Sequence, residues 1–407
     1  MGHVYQRYLV MRIGLVNLIT KTADVQADAS VMRTAGLRPG TDQDLNVVET
    51  GRRLVRRGNE VTIFVADAYR PQSTGDLGGV KMDYIPTRLP WMFPPSLAPL
   101  TPSLREEIHR EHFDVVQSGE VFQPGTYLTW AATRDGGPDM FIWQELDIYM
   151  QGPMGWLQKQ YYRTLGKAVT RGCRAVIPRS RSAARHLLEA GVPEERIAPV
   201  VHSGVDTDVY RPLNKEDSRA RFNVEEGQNV LLSIGRMHEN KGMDLMVKAM
   251  SFLRVGDPDC LLILKGTGPQ EPALREMVRS SGLEDHVRIM TDRLEQADMA
   301  ALYNAADMLL VASRTDLFPF TAIESISCGV PIATSFARGL KSDIVDEGAG
   351  AMLPPGPEEM AGELRSLLED PVGLDRMGAR AREVALRDFS FDVGAERLLD
   401  IYTRRDG

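Results

Sequence analysis

The stretch Ser313-Arg-Thr-Asp316-Leu-Phe-Pro-Phe-Thr-Ala-Ile-Glu324-Ser-Ile-Ser-Cys-Gly-Val-Pro331 follows a short apolar run, Met-Leu-Leu-Val-Ala, at residues 308–312. That run has the length and continuous apolar character of a buried parallel strand. The stretch predicts a helix starting at Thr321, with Thr321 as its N-cap. Asp316 and Glu324 stand eight positions apart and flank the strand-to-helix turn, with backbone N–H groups of Phe320 and Thr321 gathered between them. Carboxylates accept hydrogen bonds from hydroxyls, and a helix N-terminus suits phosphate. The turn is built to hold a ligand that carries both.

Outward from this turn, apolar runs of strand length alternate with longer amphipathic stretches. In the first half they cover residues 12–18, 60–66, 81–86, 114–118, 140–145, 175–178 and 198–202, with helical patterns at 45–57 and 181–190 among them. The second half repeats the plan at 229–235, 260–266, 287–291, 308–312, 331–335 and 351–353. Such alternation predicts an α/β protein with parallel, doubly wound sheets covered on both faces. The pattern breaks at residues 204–214, where Pro212 and Asn214 appear. A single sheet of a dozen strands is disfavoured, so two Rossmann-like domains are expected at 11–205 and 206–388. A last helix, residues 391–404 within the segment 389–407, is expected to pack back on the first domain. Ligands of such sheets bind outside the carboxyl ends of the strands, which places the expected site in a cleft that the two domains face.

The chain has 407 residues, 43% hydrophobic and 26% charged, as in a globular protein able to bury real cores. A net charge of −8 weighs against a nucleic-acid partner. Cys173, Cys260 and Cys328 lie far apart beside apolar or small neighbours and read as small hydrophobes in a reducing compartment. No apolar run approaches the roughly 18 residues that span a bilayer, and the first ten lack a signal-peptide core. A cytoplasmic enzyme is expected, and neither half shows a carboxylate pair or histidine cluster with metal-ligand spacing.

Ser233-Ile-Gly235-Arg236-Met-His-Glu-Asn-Lys241-Gly242 follows the first strand of the second half. Gly235 permits a tight turn, and Arg236 and Lys241 then project from a loop and helix start. Two cations there suit a diphosphate leaving group, on which charge builds as a bond to it breaks. The ordinary alternative is a pair of solvated surface cations. Lys265-Gly266-Thr-Gly268-Pro269 ends the next strand and reads equally as a ligand-lining turn or as a plain strand-to-helix connection. Glu324, as a bland acid in the first turn, would merely complement the helix dipole.

Taken together, these motifs resemble the retaining glycosyltransferases of family 4. That family carries an acidic residue, seven residues and a Glu, followed closely by Cys-Gly and Val-Pro; Glu324 and Cys328-Gly329-Val330-Pro331 match. It also carries Gly-Arg, several residues and Lys-Gly, matched at Gly235, Arg236, Lys241 and Gly242, and a Gly-x-Gly-Pro-like turn, matched at Gly266 and Gly268. The resemblance implies the GT-B fold and transfer of a hexose-type sugar from a nucleotide diphosphate sugar, with retention and without a metal. A UDP-sugar is slightly favoured over a GDP-sugar. It assigns the diphosphate to Arg236 and Lys241, the donor ribose to Glu324 and the donor sugar to Asp316. Domain closure would then exclude water from the reacting sugar.

The chain also departs from the family. Asp316 stands for the usual Glu, one methylene shorter, and Leu317-Phe318-Pro319 for Gly-Phe-Gly. Residues 202–206 read His-Ser-Gly-Val-Asp in place of Pro-Asn-Gly-Val-Asp, so that Gly204 and Asp206 match and His202 and Ser203 depart; a structural turn is expected there. In the first domain Gly40 and Thr41 stand near the family's glycine pair, and four arginines (52, 53, 56 and 57) end the following helix, where dipole placement or a membrane phosphate would account for them. Many members have His-x-His where this chain has Gln117 and Gly119, and Glu145 lies in another segment where His is common. Glu120 and Glu145 are therefore the acidic groups expected on the acceptor side, unless they are plain surface or capping acids. Two aromatic stretches, residues 84–97 and 154–163, either suit a membrane interface and a lipid-linked acceptor or pack within the domain. The missing histidines and Asp316 support a second reading, a sugar-nucleotide-binding subunit without catalysis that assists a partner.

Overall fold

A computed structural model describes residues 10–18, 45–69, 77–92, 98–257, 259–314, 318–335 and 338–404. Among the described residues twelve strands form two six-stranded sheets. The first contains β1 (Arg12–Val16), β2 (Glu60–Ala66), β3 (Lys81–Ile85), β4 (Val115–Gly119), β5 (Asp139–Gln144) and β6 (Ala175–Pro178). The second contains β7 (Val230–Ile234), β8 (Leu261–Lys265), β9 (Val287–Met290), β10 (Met308–Val311), β11 (Ile332–Thr334) and β12 (Gly350–Met352). Every pairing is parallel. The orders are β3-β2-β1-β4-β5-β6 and β12-β11-β10-β7-β8-β9, so each sheet starts at its centre, winds to one edge and returns to wind to the other. The order reverses between β1 and β4 and between β7 and β10, and at such switch points the loops diverge and leave a crevice for ligands.

The chain divides into Met1–Gly204 with Phe391–Gly407, and Val205–Ser390. In the first unit Ile13, Ile63, Phe64, Val116 and Phe141 are fully or almost fully buried, and Phe64 meets Phe113 edge to face at 5.6 Å. The last helix, Phe391–Thr403, belongs to this core through Ala395, Leu398 and Leu399. It is also held by charge. Arg53 and Arg57 on the helix Leu45–Arg56 and just beyond it pair with Asp392 at 3.4 and 3.0 Å, and Arg57 reaches Glu396 at 2.9 Å. Arg52 and Arg53 further pair with Glu49 on their own helix. Three of the four clustered arginines are thus engaged in holding helices.

Residues 198–202 are not a strand. They run beside β6, with the Ala198 N–H on the Val176 carbonyl at 2.9 Å and the Val201 N–H on the Pro178 carbonyl at 3.0 Å. Pro199 has no N–H to continue a ladder there. In the second unit Leu232, Ile263, Leu309, Ile332 and Phe389 are fully buried. All three cysteines are buried, and burial raises each thiol pKa, to about 12 for Cys173 and Cys328. Among the described residues no helix is long and apolar enough to cross a membrane, and no group of three His, Cys, Asp or Glu is placed to hold a metal ion.

Candidate active site

In the second unit the loops leaving β7, β8 and β10 are locked together by their backbones. The Gly235 N–H donates to the Lys265 carbonyl and the Met237 N–H to the Thr267 carbonyl, each at 3.0 Å. Gly266 has φ 146°, and a Cβ there would stand 1.9 Å from the Gly235 carbonyl oxygen. Gly268 similarly abuts the backbone of Met237. The turn from Gly235 to Gly242 then meets the exit of β10. Gly242 has φ 68°, and a Cβ there would stand 2.1 Å from the Ala312 carbonyl oxygen. Only glycine combines that conformation with that approach. The Ser313 hydroxyl and the Arg314 N–H both donate to the Asn240 carbonyl, at 3.0 and 2.6 Å.

This lacing places the two cations of the turn beside the β10 exit. Arg236 is exposed, and its guanidinium has no ion-pair partner among the described residues. Lys241 is half-buried and its stem lies back over Gly235, with Cε 3.7 Å from where a Cβ would be. Arg314, which lay in the opening stretch without a role, is engaged otherwise. Its guanidinium makes a two-point pair with Asp244 at 3.1 and 3.0 Å and reaches the Glu239 carbonyl, fastening the β10 exit to the helix Met243–Leu253. His238 accepts from the Asn240 N–H as the cap of the turn Glu239–Lys241. A Lys265–Asp292 contact ties the ends of β8 and β9. The sequence offered no signal for the Arg314 and Lys265 tethers, because each depends on a loop meeting another element.

The helix after β10 is Phe320–Ser327, with Pro319 as N-cap. This corrects the expectation of Thr321 as cap: Thr321 is the second helical residue and half-buried. Pro at the cap supplies φ near −70° and no side-chain acceptor, so the helix starts a residue early with its first N–H groups free of any cap from Pro319. Glu324 lies one turn in. Its Oε2 accepts from the hydroxyl of Tyr303 at 2.6 Å. Tyr303 is fully buried, and burial followed by the charge of Glu324 raises its pKa well above the ordinary value, so it remains a donor. Asp316 lies outside the described residues.

In the first unit the exits of β4 and β5 are cross-laced. Glu120 has φ 57°, a left-handed conformation uncommon for a residue with a side chain. Its Oε1 accepts from the N–H groups of Glu145 and Leu146 at 2.7 and 3.2 Å. Gln144 answers by accepting the Val121 N–H at 3.0 Å. Glu120 Oε2 is buried without a partner. Burial, then the nearby Glu145, pushes the Glu120 pKa up to about 8 against the lowering effect of the two N–H bonds. Glu145 itself is exposed and pairs with Arg179 at 2.9 Å, whose guanidinium lies 4.0 Å from the Trp143 ring centroid. Gln117 faces the other way: it is buried and accepts from the Tyr402 hydroxyl at 2.7 Å, on the last helix. A Cβ on Gly119 would meet only the Val16 carbonyl, at 4.0 Å, so there is room for a side chain that the chain does not supply. Gly40 and Thr41 lie outside the described residues. His202 is buried, and Asp206 accepts from the Asp208 and Val209 N–H groups, which makes residues 202–209 a capped turn.

The raised pKa of Glu120 has a thermodynamic consequence. Between about pH 4.5 and 8 the unfolded carboxyl ionises while the folded one stays protonated, so stability falls as pH rises through that window and levels off above it. Glu120→Gln keeps the acceptor for the two N–H groups and removes the titration. The variant is expected to gain a few degrees in Tm over the wild type at pH 8 and nothing at pH 4.5. Parallel pH profiles of Tm for the two proteins would refute this assignment.

The family models that match are "Glycosyltransferase Family 4" over residues 46–209 and "Glycosyl transferases group 1" over residues 214–384. A D-inositol 3-phosphate glycosyltransferase of Kineococcus radiotolerans is 28% identical over 95% of both chains. That of Thermobispora bispora is 26% identical, again over 95% of both. Among solved structures, sucrose-phosphate synthase from Thermosynechococcus elongatus superposes with TM-score 0.72 at 20% identity, covering 96% of this chain and 98% of that one. HepE of Anabaena, in complex with UDP and glucose, gives TM-score 0.67 at 15% identity over 96% and 98%. Two parallel six-stranded sheets of this order, with these structural neighbours, show the GT-B fold, and the two family models make the chain a glycosyltransferase. More narrowly, the chain belongs to glycosyltransferase family 4, whose two domain models account for its two halves.

Proposed function

We propose that the protein transfers a hexose-type sugar from a nucleotide diphosphate sugar, with retention and without a metal, to a hydroxyl of a glycan, lipid-linked or small-molecule acceptor. The observation that carries this is the basic turn from Gly235 to Lys241, laced against the β10 exit that leads to Glu324. In this reading Arg236 and Lys241 receive the diphosphate as the sugar C1–O bond breaks, and Glu324, held by Tyr303, accepts from the donor ribose. Gly235, Gly266 and Gly268 let the backbone come close, while the Phe320 and Thr321 N–H groups face phosphate. Asp316 is assigned to the donor sugar. Glu120 and Glu145 lie at the carboxyl end of the first sheet, where the acceptor would bind. The relatives that act on an inositol phosphate make a polyol phosphate one acceptor to try.

A second reading, a sugar-nucleotide-binding subunit without turnover, is favoured by one feature. Gln117 is engaged with Tyr402, and Glu120 presents one oxygen to backbone and buries the other. A panel of UDP-, GDP- and ADP-sugars decides both points. The matching donor, at a hundredfold excess over Kd, is expected to raise Tm by about 5–10 °C, UDP-sugars foremost. Hydrolysis or transfer of that donor, insensitive to EDTA, supports the enzyme; a Tm shift without any turnover supports the binding subunit. No shift with any sugar nucleotide would reject both.

A further inference from the structure

Between Asp147 and Glu189 the sequence contains no acidic residue and eight lysines and arginines, in a chain whose net charge is −8. The fold distributes these cations unequally. Arg174 donates to the Arg404 carbonyl and Arg179 pairs with Glu145, so those two are engaged. Lys159, Arg163, Lys167 and Arg171 lie exposed on two helices in contact, Gly152–Arg163 and Leu165–Gly172, and pair with no carboxylate among the described residues. Lys159 rests over the Tyr149 ring, 5.1 Å from its centroid.

The same two helices expose large apolar side chains. Trp156 is 65% exposed, Leu165 51%, Leu157 47% and Met154 40%. The tyrosines of this stretch behave differently: Tyr162 is buried, and Tyr161 packs edge to face on Phe122 at 5.2 Å. The buried side of these helices is therefore packed against the protein, and the exposed side carries an indole, two leucines, a methionine and four cations without a carboxylate partner among the described residues. Water alone would not favour that combination. An anionic phospholipid surface would, since the apolar groups enter the headgroup boundary while the cations meet lipid phosphates. The first of the two helices is entered from the carboxyl end of β5, so Met154 and Trp156 lie toward the ligand-binding edge of that sheet.

We propose that the exposed side of these two helices, with Met154, Trp156, Leu157 and Leu165 beside Lys159, Arg163, Lys167 and Arg171 in the sequence, is a docking surface for an anionic phospholipid membrane. The inference is independent of which donor and acceptor the enzyme uses. Each cation near such a surface strengthens partitioning roughly fivefold, and the effect is screened by salt.

The test is co-sedimentation of the full chain with vesicles of phosphatidylcholine alone or with phosphatidylglycerol added. The expected result is partitioning into the anionic vesicles only, weakened by high salt, with a blue shift of tryptophan emission that Trp156→Phe abolishes. The variant K159Q/R163Q/K167Q/R171Q should lose about six-hundredfold in partitioning, whereas R275Q/R279Q on the helix Glu271–Ser280 should lose little. All six side chains are exposed or on an exposed helix face, and an unchanged Tm checks that each variant folds. Equal partitioning into both vesicles, equal loss in the two variants, or no partitioning would overturn the proposal. So would equally tight retention on a soluble polyanion with the Trp156 emission unmoved, which would point to a polyanionic partner.

Discussion

Lys241→Ala is expected to lower kcat/KM for sugar transfer by about a hundred- to a thousandfold, the cost of removing one charge-stabilising donor from a reacting site. The ground state already carries two negative phosphates, but the bridging oxygen gains charge only as the sugar leaves. A cation fixed in place beforehand therefore acts more on kcat than on KM. Lys241 is fixed in this way, since its stem crosses Gly235 and its neighbour Gly242 fits against the Ala312 carbonyl. Arg236→Ala should cost about as much, with little change in Tm, because its exposed guanidinium has no ion-pair partner among the described residues to lose. On the proposed reading both cations act on one diphosphate, and the double variant should then lose less than the product of the two. Initial rates with saturating acceptor measure this, and UDP-induced Tm shifts report whether the diphosphate site itself is weakened. Unchanged turnover in both single variants would mean that the diphosphate lies elsewhere.

Most of the scaffold was legible in the sequence because both sheets are buried on both faces. Twelve expected strands fall on the observed ones with ends within a residue or two, from the β1 run at Arg12 to the β12 run at Gly350. The thirteenth, at 198–202, had the same apolar content, but Pro199 interrupts the ladder. Arg53 and Arg57 looked like a dipole complement because their partners, Asp392 and Glu396, lie more than three hundred residues away in sequence. Gln117 looked like a replaced catalytic position, whereas its partner is Tyr402 on the last helix. In each case the motif was local and readable, and the partner was set by the fold. The same holds for Glu120. Its position after β4 could be found by counting, but its left-handed backbone and its grip on the 145–146 amides could not.

Glu324→Ala is expected to weaken donor binding by about tenfold to a hundredfold, the worth of charge-assisted hydrogen bonds to hydroxyls. The carboxylate is not a free surface acid: Tyr303, buried and protonated, donates to Oε2 at 2.6 Å and orients the group. Removing the carboxylate also takes from the buried Tyr303 hydroxyl the acceptor it uses, so Glu324→Ala should lower Tm as well. Glu324→Gln separates the two effects. It keeps an acceptor for Tyr303 and hence most of the stability, but removes the charge that, on the proposed reading, strengthens the bonds to the donor ribose. Tyr303→Phe does the opposite: Glu324 keeps its charge and loses its tether, so donor affinity should fall by less than in Glu324→Gln, with KM raised and kcat nearly kept. Calorimetric titration of UDP against the UDP-sugar, and of a 2′,3′-dideoxy nucleotide against UDP, locates the loss. If Glu324→Gln weakened UDP and its dideoxy analogue equally, the carboxylate would not be reading the ribose hydroxyls. Its bond to Tyr303 would then be a structural contact behind the helix Phe320–Ser327.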